Sequence, residues 1–128
     1  MKKTLLILTL LIVGISYSQQ LKPEEIVQKQ LEAYNNKDTD AFLSCYSEDI
    51  KIYNFPNSLE SEGKEQMKAN YTSFFKNVKI LNCKIKNRII QNNKVIDQEE
   101  VTFNDKKFSA IAIYEIENNK IIKVTFVY

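Results

Sequence analysis

The sequence predicts an α+β fold, a cone in which a curved antiparallel meander sheet wraps over N-terminal helices. Two observations carry this expectation. Apolar residues recur at helical spacing through the first half of the chain. Beyond Val78 the period falls to two, and three Asn-containing pairs punctuate the alternation. Helices first and hairpins afterwards describe an α+β domain rather than alternating βα units. The open mouth of such a cone can hold a small molecule.

Residues 1–18 read as a cleaved signal peptide. Met1-Lys2-Lys3 is a positive start, Thr4 to Ile15 is a nearly unbroken apolar run, and Ser16-Tyr17-Ser18 offers small residues for cleavage before Gln19. The run is shorter than the ~20 residues that span a membrane, although an uncleaved anchor is the alternative. No Cys follows the cut directly, so lipid anchoring there is not expected. The reading is an exported chain, periplasmic or secreted, with 19–128 as one domain and no membrane attachment after cleavage.

Pro23 suits a first helical turn, and Glu24-Glu25 complement its positive end. Val27, Gln30, Leu31 and Tyr34 fall on one face of that helix. Asn35-Asn36 reads as a left-handed stop, and Asp38 as the cap of a short helix through Ala41, Phe42, Cys45 and Tyr46. Ile50, Ile52 and Asn54 share one side of a strand that Pro56 ends. Another helix opens at Ser61 to Gly63 and buries Met67, Tyr71, Phe74, Phe75 and Val78. The meander starts with Leu81, Cys83, Ile85 and Ile89. Three further strands follow, parted by Asn92-Asn93, Asn104-Asp105 and Asn118-Asn119, which tolerate the left-handed dihedrals of tight hairpins. Gly is nearly absent from the strands, so bulges and twist must supply the curvature.

Composition removes several function classes. Without Lys2 and Lys3 the 18 basic residues become 16, equal to the 16 acids, so the exported chain is close to neutral. Arg88 is its only arginine, which disfavours nucleic-acid binding. The lack of His excludes Ser-His-Asp and Cys-His relays and imidazole metal ligands. Gly63 alone remains beyond the signal, so neither a GxGxxG turn nor a phosphate loop exists. Two cysteines cannot build a thiolate zinc cluster, and no cofactor or metal is expected. Cys45 and Cys83 each sit among apolar residues and read as buried thiols, with a bridge as the alternative in an oxidising compartment.

Several strings, weak singly, are informative in order: Val27-Gln28, Tyr34-Asn35, Asp38-x-Asp40-Ala41-Phe42, Tyr46-x-x-Asp49, Gly63 with Tyr71, and the closing Lys120-Ile-Ile-Lys-Val. Together they resemble the nuclear transport factor 2-like superfamily, in particular its SnoaL-like and ketosteroid-isomerase-like branch. The likeness covers essentially all of residues 19–128, and it implies a homodimer, common among relatives. In the steroid isomerase a first-helix tyrosine and an acid on a later strand polarise a carbonyl, and an aspartate ending the first strand moves the proton. By resemblance these positions fall at Gln30, Ala112 and Asn54. Asn cannot accept a proton near neutral pH and Gln is a far weaker acid than a phenol, so that isomerisation is not expected. Only Tyr71 matches, in a supporting place.

Gln30 and Asn54 lie on inward faces, where an unpartnered polar group costs roughly 1–3 kcal/mol. Either they bond to each other, to backbone or to water, or they orient a ligand. Asp97 and Glu99 share a strand face with Val101 and Phe103, beside Ala110, Ala112 and Tyr114, and the two alanines leave room. If that face lines the cone, burial raises the Glu99 pKa toward general-base duty. Otherwise Gln98-Glu99-Glu100 is a solvated bulge or edge, with Asp97 a weaker candidate still. Tyr34, Tyr46, Tyr53, Tyr71 and Tyr114 are core or rim rings that would favour a flat or apolar ligand. Lys79 to Arg88 reads as a solvated outer face. Ile111, Ile113, Ile122, Val124 and Phe126 form apolar sets opposite Ala110, Ala112 and Thr125, and one set would meet a second copy.

The expectation is thus an exported protein that encloses a small apolar or aromatic ligand among Gln30, Tyr34, Asn54, Tyr71, Glu99, Ala112 and Tyr114. Two alternatives stand beside it. One is a lyase, isomerase or cyclase step with Glu99 as base and Tyr114 or Tyr34 as donor. The other is a homodimeric interaction module.

Overall fold

The computed structural model describes residues 14–16 and 19–128. The segment read as a signal peptide lies largely outside the described residues. Three helices, α1 (Pro23–Asn35), α2 (Thr39–Ser44) and α3 (Lys64–Asn77), pack on one face of a sheet. Its strands are β1 (Tyr46–Asn54), β2 (Ser58–Glu62), β3 (Leu81–Gln91), β4 (Lys94–Phe103), β5 (Lys106–Glu117) and β6 (Lys120–Val127), in the spatial order β2-β1-β6-β5-β4-β3. Helices first and a curved sheet afterwards agree with the expected α+β cone.

Local chemistry sets the helix ends. The Glu25 carboxylate accepts from the Lys22 backbone N–H at 2.7 Å, and the Asp38 carboxylate accepts from Ala41 N–H at 3.1 Å. The left-handed residue after α1 is Lys37 at φ 53°, not the Asn35-Asn36 pair. Asn35 is diverted, its amide clamping the Cys83 backbone N–H and C=O at 2.7 and 3.0 Å. At the hairpins Asn92, Asn104, Asn118 and Asn119 all take positive φ, as their residue type suggests.

Three expectations are corrected. Residues Ser58–Glu62 form a strand antiparallel to β1, so the third helix opens only after Gly63. Gly63 donates its N–H to Ile50 O at 2.8 Å and sits at φ 89°, a left-handed value that costs glycine little. Secondly, β6 runs parallel to β1, which makes the sheet mixed rather than a pure meander. The third correction is in β3, where a register shift between Ile85 and Asn87 inverts the alternation. Ile89 is thereby 55% exposed on the outer face, while Arg88 turns inward.

Further register shifts interrupt the β1–β2, β1–β6 and β5–β6 ladders, so bulges do bend this sheet. The main core gathers Ile26, Val27, Phe42, Ile50, Met67 and Phe75 under the sheet. Tyr71 lies 4.6 Å from Phe42, ring centre to ring centre, within an aromatic cluster shared with Tyr34 and Phe75. Both cysteines are buried and free.

Candidate functional site

Beside the core the sheet leaves a partly open cavity of about 140 Å³ between α1 and strands β3 to β6. Among the described residues Glu99 is the one charged residue lining it. The ladder places Glu99 opposite Ile85 on one side and Ala110 on the other, and the small Ala110 side chain leaves the space above the carboxyl open. Glu99 is only 6% exposed. The solvated-edge alternative for Gln98-Glu99-Glu100 is therefore set aside, because β4 runs through this segment with Glu99 on the inner face.

A directed chain of hydrogen bonds ends on this carboxyl. Tyr46 Oη donates to Gln30 Oε1 at 3.0 Å, Gln30 Nε2 donates to Tyr114 Oη at 3.1 Å, and Tyr114 Oη donates to Glu99 Oε1 at 3.3 Å. Each donor points toward Glu99, so the chain favours the carboxylate. Burial opposes it more strongly. Desolvation, with the nearby Asp97 charge, raises the Glu99 pKa from 4.5 to about 7, against lowering contributions from Tyr114, Cys83 and Arg88. Burial also pushes the Tyr71 phenol up to about 12 and those of Tyr46 and Tyr114 well above 10. These phenols remain neutral donors across the physiological range.

Aromatic rings make the rest of the wall. Tyr34, Phe42 and Tyr71 close the helix side. Phe108, Phe126 and Tyr128 stand at the mouth, where Phe108 is 42% and Tyr128 is 76% exposed. The Cys83 thiol joins the inner wall, and burial together with the Glu99 charge raises its pKa.

Five of the seven expected site residues converge here: Gln30, Tyr34, Tyr71, Glu99 and Tyr114. Two do not. Asn54 is half-buried at the end of β1, beside Phe126 rather than on the cavity wall. Ala112 is fully buried in the core opposite Asp97, so Ala110 alone provides the room that both alanines were expected to leave. Gln30 bonds to two phenols, not to Asn54. Asp97, the lesser site candidate in the sequence, is wholly buried and gripped by Arg88, so Lys79 to Arg88 is not a uniformly solvated face. Tyr46 enters the sequence reading as a core or rim ring but not as a donor, and Phe108 and Tyr128 do not enter it; alternation with Ala110 and Phe126 is the signal that reaches these two rings. Val124 and Phe126 also face inward and Thr125 outward, the reverse of the expected grouping.

Among the described residues no group of three or more Cys, Asp or Glu side chains converges as a metal site. No helix among them is long and apolar enough to cross a membrane.

The fold and its site define a class. Residues 27–124 match the model of the SnoaL-like domain, and the chain belongs to that family. No curated protein sequence matches it. Its fold is similar to a cystatin-fold protein from Novosphingobium aromaticivorans, at 24% identity and TM-score 0.78, over 85% of this chain and 100% of that one. An M. tuberculosis LEH-like epoxide hydrolase is similar at 16% identity and TM-score 0.71, over 82% and 80% of the two chains. A protein of ketosteroid isomerase-like fold from Catenulispora acidiphila, in complex with trimethylamine, is similar at 13% identity and TM-score 0.67, over 81% and 85%. At these identities the likeness establishes the nuclear transport factor 2-like fold.

Proposed function

We propose that this SnoaL-like domain is an exported small-molecule-binding protein whose ligand occupies the Glu99 cavity. The observation that carries the reading is a ring-lined space of about 140 Å³ with a single buried carboxyl at its base. A cavity of ~150 Å³ is large enough for benzene, so the fitting ligand is small and partly apolar. The trimethylamine complex of a fold neighbour is consistent with ligands of that size. Ligand-observed NMR with a library of small aromatic and aliphatic fragments tests it. Hits are expected on the wild type and are expected to weaken at least tenfold in Ala110→Leu, which fills the space opposite Glu99. A library without hits discards the reading.

One observation favours a second reading, proton transfer by Glu99. A carboxyl held at about 7 gives and takes protons readily near neutral pH. With Tyr114 Oη already donating to Glu99 and accepting from Gln30, the Tyr34, Tyr71 and Tyr128 phenols of the wall are left to polarise a carbonyl substrate. This describes an isomerase, lyase or cyclase step on a route different from the steroid isomerase, whose base position here is Asn54. Under it, Glu99→Gln loses turnover while keeping affinity for a neutral substrate. Export rests on the composition of residues 1–18, and a homodimer through the outer sheet face rests on the apolar row of Ile89, Ile96 and Ile113 across β3, β4 and β5.

A further inference from the structure

Asp97 and Glu99 are two carboxyls on the inner face of one strand, with a single arginine to serve both. Arg88 is committed elsewhere: Nε and Nη2 donate to Asp97 at 2.7 and 2.9 Å, and Nη1 donates to Gln28 at 3.1 Å. Among the described residues no lysine or arginine lines the cavity. Ionised Glu99 is thus a buried anion held by hydrogen bonds and lacking a counter-ion. Buried charges are ordinarily paired, because an isolated one is costly. The wall supplies an independent observation. Eight of the fourteen lining residues are aromatic, and ring faces carry the negative potential that attracts cations, most strongly where water is excluded.

We propose that the cavity selects a small organic cation of the alkyl- or methylammonium class, its charge paired with Glu99 and its carbon substituents against the surrounding rings. This rests on the cavity being a ligand site and adds the charge of the ligand. A neutral molecule would leave the carboxylate unpaired or force it to stay protonated. A bare metal ion would find one carboxylate and no second acidic ligand free, since Asp97 is held by Arg88.

The pH response follows from the groups around Glu99. From its own strand it meets Asp97, and from β3 it meets Arg88 and the Cys83 thiol. The phenols of Tyr114, Tyr46, Tyr34 and Tyr71 face it from β5, β1, α1 and α3, with Tyr128 at the mouth. Asp97 and Arg88 are the ion-paired groups among these, and Asp97 raises the Glu99 pKa more than Arg88 lowers it.

Isothermal titration calorimetry with choline and its uncharged carbon isostere, 3,3-dimethyl-1-butanol, decides the matter. At about pH 8 choline is expected to bind at least tenfold tighter than the alcohol. Its affinity should rise about tenfold between about pH 6 and 8, as Glu99 ionises, while the alcohol stays level or weakens. Glu99→Gln should erase both the preference and the pH dependence, with circular dichroism reporting its fold. If that variant does not fold, the two wild-type titrations still decide. An alcohol that binds as tightly as choline at about pH 8 overturns the cation assignment and leaves the ligand site standing. Failure of both probes at millimolar concentration overturns both.

Discussion

Arg88 holds Asp97 across the β3–β4 ladder through two parallel N–H···O bonds of 2.7 and 2.9 Å, and the carboxylate it holds is wholly buried. The bulge between Ile85 and Asn87 makes the pair possible by turning Arg88 to the inner face. Asp97 in turn is the charge that, after burial itself, keeps the Glu99 carboxyl near neutrality. A structural ion pair and the candidate site are therefore coupled.

The coupling gives opposite signs for the two halves of the pair. Asp97→Asn removes a negative neighbour and should lower the Glu99 pKa. Arg88→Ala removes a positive one and should raise it. Arg88→Ala leaves the wholly buried Asp97 carboxylate uncompensated and should cost about 3–5 kcal/mol of stability, whereas Asp97→Asn leaves only the half-buried Arg88 unpaired and should cost less. Carbon-detected NMR titration of Glu99 in both variants measures the signs. Shifts in the same direction would show that Asp97 and Arg88 do not set this pKa.

Glu99 also predicts a pH dependence of stability. Its folded pKa, about 7, lies above the ordinary 4.5, so between those values the folded chain holds a proton that the unfolded chain releases. Stability from this group is full below about pH 4.5 and is lost as pH rises through about 7. The span is about 3 kcal/mol at most. Urea melts of the wild type and Glu99→Gln from about pH 4.5 to 8 isolate it by difference. Parallel curves for the two proteins would remove the effect.

Gln30 is the link whose two ends are both occupied. Gln30→Met keeps its length and deprives Tyr46 of its acceptor and Tyr114 of a donor inside the core. The expected loss is roughly 1–3 kcal/mol, together with a change in the Glu99 pKa as Tyr114 loosens. Denaturant unfolding and the Glu99 titration read the two effects separately. An unchanged midpoint would mean that water replaces the amide.

Much of this architecture is legible in the sequence, because period and capping are local. The α3 stripe from Met67 to Val78, the Asp38 cap and the Asn hairpins follow from residue type alone. Glu99 and Ala110 share an inner face by alternation. What escapes is whatever depends on register across strands. The β3 bulge moves Arg88 and Ile89 to faces that strict alternation denies them, and no residue type marks it. The parallel β1–β6 pairing joins segments about seventy residues apart, which a local period cannot reveal. Gln30 looks like an isolated polar residue on an apolar stripe until the fold brings Tyr46 and Tyr114 to it.

Export makes a prediction independent of the cavity. Under the export proposal, two lysines, a short apolar stretch and small residues at Ser16 and Ser18 would act as a cleavable leader. The helical domain begins at Pro23, and upstream of it Leu21 N–H donates to the Asn119 side chain at 3.0 Å. A cut before Gln19 spares that contact. Intact-mass measurement of protein from the periplasm or medium should find a start at Gln19, free or cyclised to pyroglutamate. Soluble precursor carrying Met1 in the cytosol would overturn localisation outside the cell interior.

The outer sheet face carries the last prediction. Ladder register lines up Ile89, Ile96, Ile113, Thr125 and Tyr53 in one transverse row across β3, β4, β5, β6 and β1. Ile111 and Val127 extend it one row on, Ile111 being 37% exposed. Ion pairs flank the row: Glu115 with Lys94 and Lys123 at 3.6 and 3.5 Å on one side, and Glu100 with Lys86 and Lys107 at 3.9 and 3.6 Å on the other. An apolar centre inside a charged rim is the anatomy of a protein interface. A two-fold copy would lay the same row on itself, giving a closed dimer. Ile113→Lys places a charge at its centre, where a disrupted anchor costs about 2 kcal/mol or more, so the dimer should weaken at least ~30-fold. Light scattering at micromolar concentration should give twice the chain mass for the wild type and the single mass for the variant. A monomeric wild type discards the dimer and leaves the cavity predictions untouched, since Ile113 does not line the cavity.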